Sequence, residues 1–242
     1  MSTPTLPQRA QIVVIGGGVM GTSVAYHLTK LGRGDVVLLE QGQLSCGTTW
    51  HAAGLVGQLR ASESGTRLVQ YSTQLYAELE AETGLSAGYK QCGGVTVART
   101  QDRMIQLRRT AASAAAYDLE CELLSPEQAF RHYPVMRTDD LVGAIWLPAD
   151  GKANPTDLTM ALAKGARQRG ARVFEHVRVL DVLARHDKVS RFVDSRDLRT
   201  RYWFPALGIR PRAEMFLDEG RQGRLVKIAT DKKGAIPRSE NL

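Results

Sequence analysis

The stretch Ile12-Val13-Val14-Ile15-Gly16-Gly17-Gly18-Val19-Met20-Gly21 constrains this chain more than any other. The β-branched run reads as a buried strand. Gly16-x-Gly18-x-x-Gly21 follows at once. Apolar residues then recur at helical spacing, at Val24, Leu28 and Leu31, and Gly32 stands where a helix stops. A second apolar run, Val36-Val37-Leu38-Leu39, ends in Glu40. Strand, glycine turn, helix, strand and acid follow in the order of a dinucleotide-binding crossover.

Each part has a physical task. Gly16 permits the tight turn, Gly18 lets the backbone approach a pyrophosphate, and Gly21 lets the helix pack against the strand. The helix N-terminus turns free N–H groups and a positive dipole end toward the phosphates. Glu40 comes roughly twenty residues on, and can accept hydrogen bonds from both ribose hydroxyls. Its charge would repel a 2′-phosphate, which disfavours NADP. The bland alternative is a glycine turn that binds nothing, but the flanking strand, helix and acid argue against it. The motif by itself serves NAD and FAD alike.

Composition removes other classes. The net charge of +7 invites a nucleic-acid reading, yet most of the basic excess falls beyond residue 188 and no nucleic-acid motif accompanies it. No nucleic-acid partner is expected. No apolar run reaches the length of a membrane span. The segment Met1 to Ala10 is too short and polar for a signal peptide, so a cytoplasmic protein is expected. Cys46, Cys92 and Cys121 are far apart and form no CxxC, which fits reduced thiols and no metal site.

After Glu40 comes a loop of small residues, Ser45-Cys46-Gly47-Thr48-Thr49-Trp50-His51-Ala52-Ala53-Gly54-Leu55. Small side chains let backbone approach a flat ligand, and the Thr48 and Thr49 hydroxyls can bond phosphate oxygens. The segment Thr48 to Leu55 resembles the flavin-attachment segment of the FAD-dependent dimethylglycine and sarcosine dehydrogenases, which are D-amino-acid-oxidase-like flavoproteins. In that family the histidine of the motif is joined to the 8α carbon of FAD. The resemblance implies that His51 is the attachment site and that Gly54 and Leu55 belong to the cofactor segment. It implies oxidation of a small N-methylated glycine, sarcosine or dimethylglycine, by hydride transfer to flavin. The electrons would pass to oxygen or to an electron-transfer flavoprotein. The same fold includes a non-catalytic regulatory subunit of pyruvate dehydrogenase phosphatase, whose segment lacks the histidine. His51 therefore favours the dehydrogenase branch. No general base is identifiable, and His27, His132, His176 and His186 carry no motif.

Farther along, apolar positions Leu68, Leu75, Tyr76 and Leu79 predict a helix from about Ser62 to Thr83, with Glu78, Glu80 and Glu82 on its solvated side. Tyr89 to Arg99 alternates as a strand, and Gln101 to Asp118 reads as a helix. Ser125-Pro126-Glu127-Gln128 is a helix start with a capping box. Leu141 to Leu147 reads as a strand. Asn154-Pro155 opens a helix to about Arg169, followed by strands at Ala171 to Phe174 and Val177 to Ala184. The expected fold is α/β: a Rossmann-like FAD-binding domain over 1–84 and 150–189, with an inserted α+β piece of a substrate domain over 85–149.

The likeness to the family runs from about Ala10 to Val189 and then stops. Residues 190–242 are basic and aperiodic, with an aromatic cluster at Tyr202-Trp203-Phe204-Pro205. One expectation is a divergent C-terminus. The preferred one is a reading-frame change near residues 189–200, testable by translating the other two frames of the DNA. Either way the resemblance implies a truncated chain, and an inactive fragment is a rival to the enzyme reading.

Overall fold

The two apolar runs that flank the glycine turn pair side by side. Strand β1 (Ile12–Ile15) lies parallel to β2 (Val36–Leu39), with Ile12 opposite Val36 and Ile15 opposite Leu39. Parallel neighbours need a crossover, and helix α1 (Val19–Lys30) supplies it. The computed structural model describes residues 6–7, 9–185 and 188–194. His186 and the expected tail beyond residue 194 lie outside the described residues.

In chain order there follow β3 (Leu55–Val56), α2 (Glu63–Thr83), β4 (Lys90–Gln91), β5 (Gly94–Ala98) and α3 (Gln101–Ala114). Next come β6 (Glu122–Leu124), α4 (Pro126–His132), β7 (Gly143–Leu147), β8 (Gly151–Lys152) and α5 (Pro155–Gln168). Strands β9 (Arg172–Phe174), β10 (Val179–Arg185) and β11 (Lys188–Asp194) complete the described chain. It forms two compact units. The first holds the described residues up to Ala52, Ala81–Leu85 and those from Pro155 on; the second holds Ala53–Glu80 and Ser86–Asn154. Residues 53–80 and 150–154, given to the nucleotide domain by the sequence pattern, cluster with the second unit.

In the first unit β9 adds to β2 in parallel, giving the sheet order β1-β2-β9. All four residues of β2 are buried, as expected of a strand covered on both faces. Val13, Val37, Leu39, Phe174 and Val177 form one apolar cluster, with Val179 and Val182 of β10 against it. Strand β11 pairs antiparallel with β10 and runs to Asp194, so regular backbone continues past Val189, the expected limit of the family resemblance.

The buried face of α1 is not the one the apolar spacing predicts. Gly21, Thr22, Ala25, Tyr26 and Thr29 are buried, Val24 and Leu28 are half-buried, and Leu31 is 78% exposed. Helix α5 presents a similar surface of Ala161, Leu162, Gly165 and Ala166, and a Cβ on Gly165 would lie 2.8 Å from the Tyr26 ring. Small residues are what allow this approach. Threonines tolerate it because their hydroxyls bond the helix's own carbonyls: Thr29 Oγ1 donates to the Ala25 carbonyl at 3.0 Å and Thr22 Oγ1 to the Gly18 carbonyl at 3.1 Å.

Helix α2 also departs from its expected face. Thr66, Thr73, Leu75, Leu79 and Thr83 are buried, while Leu68 is exposed. Glu82, expected on a solvated face, is instead half-buried and accepts a hydrogen bond from the Tyr26 hydroxyl at 2.7 Å. Arg169 pairs with its other oxygen, and the guanidinium also lies 4.9 Å from the Tyr26 ring centre. Burial works against ionisation of Glu82, but the hydrogen bonds from Tyr26 and Arg169 and the Arg169 charge outweigh it, holding the carboxyl below its usual range.

The second unit is antiparallel. Strand β7 sits between β5 and β6, with Ile145 opposite both Thr96 and Leu123. Met104 and Leu107 of α3 pack on Ala98, Ile145 and Leu147. Helix α4 opens with the capping box read from its sequence: Ser125 Oγ accepts from Gln128 N at 3.3 Å, and Gln128 Oε1 accepts from Ser125 N at 2.7 Å. The single strand expected over Tyr89 to Arg99 is broken at Gly93, whose φ is +73°. The Trp146 ring occupies the space that a Cβ there would need, and the Asp150 carbonyl accepts from Gly93 N at 2.8 Å. The remaining small sheet has the order β3-β8-β4.

Candidate cofactor site

The glycine turn leaves β1 with Gly16 at φ +108° and its N–H on the Leu39 carbonyl at 2.8 Å. A Cβ on Gly21 would fall inside contact distance of the Gly16 carbonyl oxygen, so only glycine lets α1 start this close to the turn. A Cβ on Gly18 would lie 2.9 Å from Thr49 Oγ1. Gly17, to which the motif assigns nothing, is hemmed in as well: a Cβ there would lie 2.6 Å from Leu44 Cδ2 and 2.8 Å from Glu40 Cβ.

Glu40 is 7% exposed at the end of β2. Its Oε2 accepts from Gly17 N at 2.6 Å and its Oε1 from Gly42 N at 2.9 Å. A carboxylate offers about four lone-pair positions, so with the Cys46 thiol as a third donor about one remains for a ligand hydroxyl. Cys46 Sγ stands 3.6 Å from Oε1, the one cysteine beside this site. The loop after Glu40 is stapled on both sides. Ser45 N donates to the Gly17 carbonyl at 3.0 Å, Leu44 N to Glu175 Oε1 at 2.7 Å, and His176 N to the Gly42 carbonyl at 2.9 Å. Ser45 holds φ at +65°, a left-handed conformation with no mark in the sequence.

Thr48, Thr49 and His51 part company here. Thr49 Oγ1 accepts from Val19 N at 3.0 Å and so caps α1, whose own N-cap is the side-chain-less Gly18. Thr48 is exposed, and its carbonyl accepts from His51 N at 3.2 Å. The segment Thr49–His51 is one turn of 3-10 helix. It carries His51 into solvent, two residues from a side chain that touches the helix N-terminus. His51 Nδ1 lies 3.1 Å from the Gly47 carbonyl, and the Trp50 ring packs on the imidazole with centres 3.9 Å apart. A carbonyl only accepts, so this contact places the neutral ring's proton on Nδ1 and leaves the lone pair on Nε2.

Among the described residues, the N–H groups of Gly18, Met20 and Gly21 have no acceptor. Together with the dipole of α1 they form an anion-binding helix end. A buried acid stands on one side of it and a loop hydroxyl on the other. These residues suit an adenine dinucleotide, with pyrophosphate at the turn and ribose at Glu40. The structure thus gathers Gly16, Gly18, Gly21, Glu40, Thr49 and His51 within the first unit. Gly54 and Leu55 belong to the second unit. There Gly54, at φ +75°, accepts from Ala153 N at 2.9 Å, and Leu55 opens β3. Gly17 and Ser45 were missed by sequence reasoning. A glycine at the variable position between Gly16 and Gly18 is a signal for Gly17; nothing marks Ser45.

The other described histidines take structural or surface places. His27 Nδ1 meets the Ser23 carbonyl at 2.7 Å, His132 stacks on Trp146, and His176 is an exposed left-handed turn residue. Among the described residues there is no cluster that would hold a metal, and no helix long and apolar enough to cross a membrane.

Comparison with known proteins identifies the family. Residues 11–210 match the family described as FAD dependent oxidoreductase. The regulatory subunit of mitochondrial pyruvate dehydrogenase phosphatase from Mus musculus is 41% identical over 76% of this chain and 21% of its own. Mitochondrial sarcosine dehydrogenase from Mus musculus is 42% identical over 75% of this chain and 20% of its own. The chain thus spans about a fifth of the length of these curated relatives. The crystal structure of L-proline dehydrogenase from P. horikoshii superposes with a TM-score of 0.74 at 27% identity, over 79% of this chain and 50% of that one.

Proposed function

The chain belongs to the FAD dependent oxidoreductase family, with the D-amino-acid-oxidase-like fold, and from that premise we propose that it serves the flavin-dependent oxidation of an N-methylated glycine, sarcosine or dimethylglycine. The observation that carries the reading is the position of His51. The loop that bears it is bonded to the glycine turn through Ser45, and through Thr49 to the first N–H of α1.

The chain's own residues bind and orient. The amides of Gly18, Met20 and Gly21 would hold the pyrophosphate, and Glu40 would accept from the ribose. Thr49 holds the loop against the helix end. The Gly47 carbonyl fixes the proton on Nδ1 of His51, so Nε2 is the atom that forms the covalent tether. The cofactor supplies the acceptor for the hydride that leaves the substrate's N-methyl carbon. Oxygen or an electron-transfer flavoprotein would be the electron acceptor.

Acid precipitation tests the tether. Flavin fluorescence should stay with the peptide containing His51, and His51→Ala should release it. Flavin that washes out of the unaltered chain would refute the covalent link. A second reading, a non-catalytic flavin-binding regulatory protein, is favoured by the 41% identity to the phosphatase subunit. A yellow chain that keeps its colour under sarcosine and dimethylglycine without oxygen would support it. Bleaching would support the dehydrogenase.

A further inference from the structure

In the first unit, the edge where the parallel strands begin carries a basic rim around one exposed leucine. Helices α1 and α5 lead into β2 and β9, so both helix C-termini and the turns after them lie at this edge. The two turns meet there: a Cβ on Gly170 would lie 3.6 Å from the Gly34 carbonyl oxygen. Lys30, Arg33, Arg167 and Arg172 are exposed along them, and Arg9 is exposed just before β1. Asp35 is the only acid in segments 9–11, 30–35 and 167–172, and it is already engaged. It accepts from Gln11 N at 2.9 Å and pairs with Arg172 at 2.6 Å. Arg169 is likewise held by Glu82. Among the described residues, Arg9, Arg33 and Arg167 have no ion-pair partner.

Leu31 stands within this rim, between Lys30 and Arg33. At 78% it is the most exposed large apolar side chain among the described residues of its unit. The fold uses its backbone, not its side chain: Leu31 N donates to the His27 carbonyl at 2.9 Å, and Gly32 turns the chain at φ +80°. Helix dipoles explain part of the charge. Lys30 and Arg167 lie in the last turns of α1 and α5, where a cation offsets the negative end. Arg9 and Arg33 lie outside both helices. One exposed leucine is ordinary by itself. Ringed by cations that no carboxylate offsets, it has the make-up of an interfacial anchor.

We propose that this edge docks peripherally on a bilayer bearing acidic phospholipids. Leu31 enters the headgroup layer, and Arg9, Lys30, Arg33 and Arg167 lie over the phosphates. Charge complementarity alone would also suit a nucleic acid, but a nucleic acid backbone offers Leu31 no apolar layer. The glycine turn and Glu40 lie at the far ends of β1 and β2, so docking turns the cofactor end of the sheet away from lipid. The contact lies wholly in the first unit and is independent of the substrate.

Co-sedimentation of the full chain with vesicles tests it. Vesicles of phosphatidylcholine and phosphatidylserine in equal parts should carry the chain down, pure phosphatidylcholine should not, and added salt should weaken the binding. Arg9→Gln and Arg33→Gln should each lower the partition coefficient about fivefold, the worth of one cation near an acidic surface. Arg33→Lys keeps the charge and should bind as the parent does. Leu31→Ala leaves the backbone bonds of the turn in place and should weaken binding about tenfold, while Leu31→Phe should bind at least as well as the parent. Equal binding to both vesicles, no binding to either, or binding that the Leu31 and arginine variants leave unchanged would each overturn the proposal. So would a partition coefficient that follows the arginines and ignores Leu31; tighter binding to duplex DNA would then mark the edge as a nucleic-acid face.

Discussion

Gly17→Ala separates the tertiary account of this site from the motif alone. In Gly16-x-Gly18-x-x-Gly21 position 17 is free to vary, so the motif predicts a neutral change. The structure predicts a severe one. The added methyl would lie 2.6 Å from Leu44 Cδ2 and 2.8 Å from Glu40 Cβ. The leucine tip can rotate away, but Glu40 Cβ is fixed to the end of β2, so the carboxylate must move. That breaks the 2.6 Å bond from Gly17 N to Glu40 Oε2 in a buried place. A hydrogen bond to a charged group contributes about 1.5–3 kcal/mol, and overpacking costs about 1–3 kcal/mol. Partial relaxation makes the two less than additive, and a net loss of about 2–4 kcal/mol is expected. Urea unfolding followed by circular dichroism measures it, with flavin retention as a second reading that should fall in parallel. Gly34→Ala is the control, since a Cβ there meets nothing within 4 Å. If Gly17→Ala unfolds within about 0.5 kcal/mol of Gly34→Ala and keeps its flavin, the placement of Glu40 is wrong.

Thr49→Val removes the acceptor for Val19 N and should cost about 1 kcal/mol in the flavin-free chain, while Thr49→Ser should be close to neutral; urea midpoints decide. Glu82 has a depressed folded pKa, so its contribution is complete above the unfolded carboxylate pKa and is lost as pH falls through the folded value. Glu82→Gln should therefore be less stable than the parent at pH 7 and approach it in acid; parallel pH slopes would sink this. Tyr26→Phe, which deletes the donor to Glu82, should cost about 1.5–3 kcal/mol at pH 7 by the same unfolding assay. Asp150 has the opposite sign. Burial raises its pKa, against the bond from Gln58 N and the nearby Arg60 charge. Its contribution is greatest below the unfolded pKa and declines as pH rises through the folded one. Asp150→Asn should flatten that decline, and an unchanged pH dependence of the urea midpoint would refute it.

The sequence by itself determined the crossover, because each of its signals is local. Apolar runs of strand length, glycines at turn positions and an acid after the second run each act within a few residues. The capping box of α4 was legible on the same grounds. What it left open is whatever depends on a distant neighbour. The buried face of α1 carries threonine and glycine in place of leucine, because it meets α5 at close range. Glu82 left the solvent because Tyr26 comes to it from α1 and Arg169 from the turn that follows α5. Gly17 became indispensable, and Ser45 left-handed, only once the loop after Glu40 folded back on the turn. Lys152 stands opposite Leu55 of β3 and Lys90 of β4 only as strand register: three residues far apart in the chain become neighbours when backbone hydrogen bonds align them, and no spacing along the sequence encodes that.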